Sequence, residues 1–174
     1  MKDNVRNTRK IALNGVLGAL AVICVLLAAV LPTNKLSLYA LSSFFAAVVI
    51  TERGIRAGLL FYVATSLLSL IIVPEKIAVI PYSVFFGMYG IVKYYIEKLD
   101  KLVLEYILKF IYFNICMGIA GFTVSRLFEV NLPAWLPWWA LIVLAEIVFF
   151  IYDFVYTLFI GYYRDKLKPK MKLK

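Results

Sequence analysis

Histidine is missing from the whole chain. That excludes His-based catalytic triads, H-E-x-x-H zinc sites and histidine proton relays, and it removes the ligand that cobalt and nickel sites favour. Cysteine is almost missing too. Cys24 and Cys116 stand apart, with no metal-ligand spacing around either, so both read as small buried hydrophobes rather than as a disulfide or a metal site. No G-x-x-x-x-G-K-[ST] occurs, so the chain cannot hydrolyse a nucleotide in the P-loop manner, and any uphill work must draw its energy from elsewhere. Charge is scarce: 17% of the residues are Asp, Glu, Lys or Arg, against ~25% in soluble globular chains. The strict alternation that a membrane β-barrel requires is absent as well.

What remains is apolar. Of 174 residues, 64% are hydrophobic, and runs of about twenty such residues recur along the chain. The fold class this predicts is all-α: a polytopic membrane protein, one domain over residues 1–174, with six helices at about 11–31, 36–51, 55–73, 77–96, 103–124 and 138–163. The second run, "LSLYALSSFFAAVVIT", has sixteen residues, short of the ~20 that cross about 30 Å, and is expected to be thinly embedded or partly re-entrant. Pro or Gly punctuates the boundaries in "PTNK", "ERG", "VPEK" and "NLPAWLPWW". The first run is too long for a signal peptide and no A-x-A site closes it, so it is read as a mature helix.

Lys and Arg set the expected orientation. With the N-terminus inside, sixteen of the nineteen basic residues fall on the inner side, and only Lys35, Lys76 and Arg126 on the outer. Both termini are therefore expected in the cytoplasm, in a cell (plasma) membrane, with the basic tail "RDKLKPKMKLK" against lipid headgroups. A net charge of +9 spread over helix ends in this way does not form the single basic face that nucleic acid needs.

Two acids break the apolar pattern. In "AEIVFFIYDFVYTLF", Glu146 lies eight residues into the sixth run, or ~12 Å along it, and Asp153 ~10 Å deeper. Steps of seven and eleven residues at 100° each bring Asp153 and Thr157 within ~20° of Glu146, giving one polar stripe with Phe150 in its gap. A carboxylate at that depth costs ~2.5 kcal/mol or more if ionised, so it should face protein and have a partner. Two readings stand. Arg126 could dip to meet Glu146, with Asp153 protonated or bonded to a Tyr or to Asn114; or an outward-opening cavity holds a polar or cationic solute against the acids. The fifth run supplies a facing stripe of Asn114, Gly118, Gly121 and Ser125, suited to close packing or to a hydrogen bond from Asn114 to a ligand. The fourth repeats it with Ser83, Gly87, Gly90 and Tyr94, after Pro81 and Tyr82. Trp135, Trp138 and Trp139 form an interfacial belt or a lid. In "RKIALNGVLGALAVI", Gly15 and Ala19 stand four apart, with Asn14 and Gly18 offset by one, giving a smooth face.

Six hydrophobic helices at this length, a basic N-terminus running into small residues at Gly15 and Ala19, and no ATP site together resemble the substrate-binding S components of energy-coupling factor transporters, over the architecture of the whole chain. The resemblance implies capture of a nutrient or vitamin from outside, with no cofactor and no enzymatic activity. It implies a membrane coupling protein and two ATPase subunits as partners. Ala-x-x-x-Ala in the family's first helix docks the coupling protein, and here Gly15 and Ala19 occupy those places by size. The implied pocket draws on Tyr82, Asn114, Arg126, Trp138 and Glu146, with "PTNK" in the lid and Asp153 at the floor or as support. Two acids without a mid-membrane base favour a cationic or amine-bearing solute, and the aromatic supply favours a ring. Two rival classes remain: a small polytopic scaffold of the cell-shape machinery without ligand, and an intramembrane enzyme using Glu146 and Asp153, whose separation of ~10 Å along the axis disfavours direct cooperation.

Overall fold

A computed structural model describes residues 2–127 and 138–167. Among them there are helices and no strands, and six stretches are long and apolar enough to cross a membrane: Ile11–Val30, Lys35–Arg53, Ile55–Ile72, Lys76–Glu97, Leu102–Thr123 and Trp139–Lys166. The protein is all-α and multi-pass. Its chain forms two compact units, Met1–Lys109 and Phe110–Lys174, divided within the fifth membrane-length helix.

In the first unit, α1 (Lys2–Val30), α2 (Lys35–Arg53) and α3 (Ile55–Ile72) pack together. Helix α2 is longer than the sixteen residues expected. Its 19 residues span ~28 Å at 1.5 Å per residue, enough to cross the core. The sequence reading had assigned Lys35, Glu52 and Arg53 to loops, but they are the helix's own polar ends. Tight turns make that possible: Asn34 is left-handed at φ 64°, and Gly54 takes φ 82°, a backbone that only glycine adopts freely.

Helices α1 and α2 meet through small side chains. Ala21, Val25 and Ala28 are fully buried, as are Ser42, Ser43 and Val49 on α2, and Ser42 Oγ donates to the Ala21 carbonyl at 3.1 Å. Ala21, Ala46, Val49 and Phe61 form the core, with Leu17, Phe45 and Ala57 against it. Without a hydrophobic drive between helices in lipid, such close approach is what holds them. Gly18 faces α3, where an added Cβ would touch Phe61 and Thr65 at 3.6 and 3.7 Å.

The fourth span departs from the single helix expected over 77–96. It begins as a 3-10 turn, Lys76–Val79, passes through a π-helical turn, Tyr82–Phe86, and becomes regular only in α4, Gly87–Glu97. Pro81 brings no N–H to the ladder, and Gly87 lets a ring lie on the backbone. The Tyr62 ring covers Gly87 so closely that a Cβ there would stand 2.8 Å from it, while Tyr62 Oη donates to the Ser83 carbonyl at 2.7 Å. Gly87→Ala should therefore push Tyr62 off Ser83. Overpacking at about 1–3 kcal/mol outweighs the ~1 kcal/mol gained in helix propensity, and a net loss of thermal stability in detergent is expected. A Tyr62→Ala background, which removes the ring as well as the hydroxyl, should show no further penalty from Gly87→Ala if the shared contact is the cause.

The second unit holds most of α5 (Leu102–Leu127) and α6 (Trp138–Tyr162), followed by a π-helical turn, Tyr163–Leu167. The buried face of α6 carries Phe149, Tyr152, Asp153, Tyr156 and, in the following turn, Tyr163. Phe150, expected to fill the gap between the acids, is 47% exposed, and Phe149 takes that place. Its ring stacks on Phe113 of α5 at 4.5 Å and 10°. Cys24 and Cys116 are buried, in different units, and form no disulfide.

Candidate functional site

Two of the expected site residues meet in the second unit. Asn114 Nδ2 donates to the Phe110 carbonyl at 3.0 Å, one helical turn back, and to Glu146 Oε1 at 2.7 Å. The first bond fixes the amide on α5; the second ties α5 to α6. Both residues lie well inside their spans, Leu102–Thr123 and Trp139–Lys166. The stacked Phe113 and Phe149 are immediate sequence neighbours of Asn114 and three residues beyond Glu146, so an aromatic pair accompanies the polar one.

The pair is incomplete. Glu146 Oε2 is buried without a hydrogen-bond partner, and Asn114 spends its two donor contacts on Phe110 and Glu146, leaving Oδ1 with no partner among the described residues. Two acceptors are thus offered and no donor comes to them. A ligand bearing N–H or O–H groups would complete the set, and a cationic nitrogen would also answer the carboxylate's charge.

Arg126 does not supply that partner. Its guanidinium lies over the Phe122 ring at 5.2 Å, and no ion pair joins it to Glu146 among the described residues. A cation on its own helix's aromatic face, near the end of α5, is the nearer arrangement. Asp153 is buried on α6, 7% exposed, and its backbone carbonyl accepts from Thr157 Oγ1 at 2.9 Å. Thr157 itself is exposed, so the stripe drawn from Glu146 through Thr157 turns out of the protein at its lower end.

Tyr82 belongs to the first unit and is held there. Its ring is fully buried and its hydroxyl meets Thr65 Oγ1 at 2.7 Å and the Ser42 side chain. The side chain of Trp138 lies outside the described residues, as do the side chain of Ser125, all of Trp135, and Lys168, Lys170, Lys172 and Lys174 of the basic tail. Gly118 and Gly121 have nothing within 4 Å of an added Cβ, so no described element covers that stretch of α5. Gly15 and Ala19 line an open apolar groove between α1 and α3, and Gly15 likewise has nothing within 4 Å.

Sequence reasoning missed two features of the first unit. Buried hydroxyls gather on α3 and the π-helical turn: Thr65 with Tyr82, then Ser66, Ser69 and Ser83, whose Oγ atoms are buried without partners. Their signal was the i, i+3, i+4 spacing of Tyr62, Thr65, Ser66 and Ser69, which puts them on one face. The other is ionic. Lys93 and Lys109, read as surface cations, are 1% and 5% exposed, and both ammonium groups stand on Glu97 Oε1, at 2.6 and 2.8 Å. The i, i+4 spacing of Lys93 and Glu97 was visible in the sequence; the arrival of Lys109 was not. Among the described residues no group of three His, Cys, Asp or Glu could hold a metal ion. Comparison of this chain with protein-family models, curated proteins and solved structures finds no match.

Proposed function

We propose that this chain is the solute-capture subunit of a nutrient uptake transporter of the energy-coupling factor type, with the solute bound at Glu146 and Asn114. The observation that carries this reading is the incomplete polar pair inside the membrane. An acid that would cost ~2.5 kcal/mol or more in ionised form is held by one amide, with its second oxygen buried and unpartnered. Intramembrane ionisable groups arranged in this way are functional sites by default. The solute is small and water-soluble, with a cationic or amine-bearing group for the two acceptors and a ring for the Phe113 and Phe149 pair.

Other features support the same reading. Energy must come from partners, since the sequence holds no P-loop. The excess of basic residues on alternate loops favours a plasma membrane location with both termini in the cytoplasm, which exposes the outer ends of α5 and α6 to the medium. Gly15 and Ala19, on the open groove of α1, are the positions for docking a coupling protein.

A tagged chain drawn from its native membrane in mild detergent, with mass spectrometry of retained protein and small molecules, tests this directly. The expected result is a polytopic coupling protein, two ATPases and a bound nitrogenous solute. Retention of cell-wall or division proteins, without an ATPase or a small molecule, would replace this reading with the scaffold.

A further inference from the structure

The α1 and α3 groove of the first unit has about 640 Å³ of space and is lined by apolar side chains and small residues over residues 11–26 of α1 and 57–72 of α3. Its smallest lining residues are Gly15, Gly18 and Ala19. These lie toward one membrane face, the face on which α1 begins and on which the α2 to α3 turn lies. Among the described residues the only formal charge on the lining is Arg53, at that same end, which also carries Asn14.

Arg53 is exposed and makes no hydrogen bond or ion pair among the described residues. It ends α2, whose C-terminal dipole offers only a diffuse partial charge. Directly after it, Gly54 opens α3 with no side-chain cap and with no acidic residue in the first turn. Arg53 and Ala57, in the first turn of α3, both line the groove, so a guanidinium and an uncapped helix N-terminus lie at the same end of it, and both call for an anion. From Ile11 to Leu26 the lining runs ~22 Å, an apolar length that lies within the ~30 Å hydrocarbon core.

We propose that this groove binds one anionic phospholipid, its phosphate at Arg53 and the α3 N-terminus and one acyl chain along Gly15, Gly18 and Ala19. Charge at the mouth and an apolar run below it match the two halves of a single molecule, and basic pockets between membrane helices hold acidic headgroups by the same physics. The site is separate from Glu146, and its failure would leave the solute-capture reading standing, although the two share Gly15 and Ala19. Any partner helix that docks at Gly15 and Ala19 does so by displacing this lipid.

The test uses the full chain reconstituted in vesicles of equal parts phosphatidylglycerol and phosphatidylcholine with identical acyl chains, extracted in mild detergent, with retained lipid measured by native mass spectrometry. The expected result is one retained phosphatidylglycerol per chain, favoured about fivefold over phosphatidylcholine, the preference one basic residue near the surface confers. Arg53→Gln should bring the two lipids to parity and Arg53→Lys should keep part of the preference. Gly15→Leu, which fills open space and leaves the packing at Gly18 intact, should reduce retention of both lipids. Equal retention of the two lipids by the unaltered chain, or an unchanged preference in Arg53→Gln, would mean annular lipid only and overturn the site. So would disulfide-linked dimers of Gly15→Cys in those vesicles, since a second copy would then occupy the groove.

Discussion

Glu146→Gln is expected to lower affinity for the captured solute by about tenfold to a hundredfold while leaving the chain folded. The amide keeps an oxygen for Asn114 Nδ2, which reaches Glu146 Oε1 at 2.7 Å, and replaces the unpartnered Oε2 with a donor. What is lost is one charge-assisted contact to the ligand, about 1.5–3 kcal/mol, and each 1.4 kcal/mol is a factor of ten. Stability should move the other way, or not at all, because an ionised carboxylate inside the membrane is a standing cost to the empty protein that a neutral amide does not carry. The measurement pairs binding of radiolabelled vitamins and amine-bearing nutrients in proteoliposomes with thermal unfolding in detergent. If the variant holds every solute as tightly as the parent, Glu146 is not a ligand contact. Should binding be unchanged and stability fall, the Asn114 and Glu146 bond is a structural clasp and the scaffold gains. Asn114→Leu gives an independent check: it removes the clasp and the second acceptor together, so both readouts should drop.

Glu97→Ala should cost the first unit about 2 kcal/mol and lower its melting temperature clearly. One carboxylate oxygen takes both the Lys93 and the Lys109 ammonium, and these two lysines are 1% and 5% exposed. Removing one member of a fully buried ion pair costs about 3–5 kcal/mol, because the remaining charge stays out of water. The Glu97 side chain is 36% exposed, so solvent screens part of this interaction and the smaller figure applies. Glu97→Lys should be worse, placing a third ammonium against two buried ones, and a drop in folded yield is the expected outcome. Glu97→Gln should fall between. The ordering can be read from thermal unfolding and size exclusion in detergent; equal melting temperatures across all three variants would show that the cluster contributes nothing to the fold. Since Lys109 closes the first unit and Lys93 lies on α4, the triad joins the end of the fourth span to the start of the fifth.

The place of Lys109 shows where pattern reading stops. Lys93 and Glu97 are one turn apart, so their pairing is a local fact. Lys109 lies twelve residues further on, across the link between α4 and α5, and only the folded chain brings its ammonium to the same oxygen. Counting it as a surface cation served the orientation argument and concealed its burial. Phe150 was misplaced for a related reason: it lies in sequence between two acids on one stripe, but packing turns the buried face of α6 toward Phe149, which finds the Phe113 ring. The π-helical turn at Tyr82–Phe86 was hidden because Pro81 and Gly87 can each be tolerated in a regular membrane helix, and it is the Tyr62 ring on Gly87 that accompanies the departure.

Hydrophobic length and the sparing use of charge determined by themselves that this is an all-α protein with six membrane-length helices, because lipid leaves the backbone no partner but itself and so makes run length the deciding variable. Periodicity likewise singled out Glu146 and Asn114, since a polar residue stands out against an apolar run wherever the helix packs. Tertiary structure alone decided that these two meet, that Arg126 stays on Phe122, and that Arg53 stands at the mouth of a groove without a partner among the described residues. Those outcomes depend on helix rotation and on which neighbours arrive, and both are set by side-chain packing between segments distant in sequence.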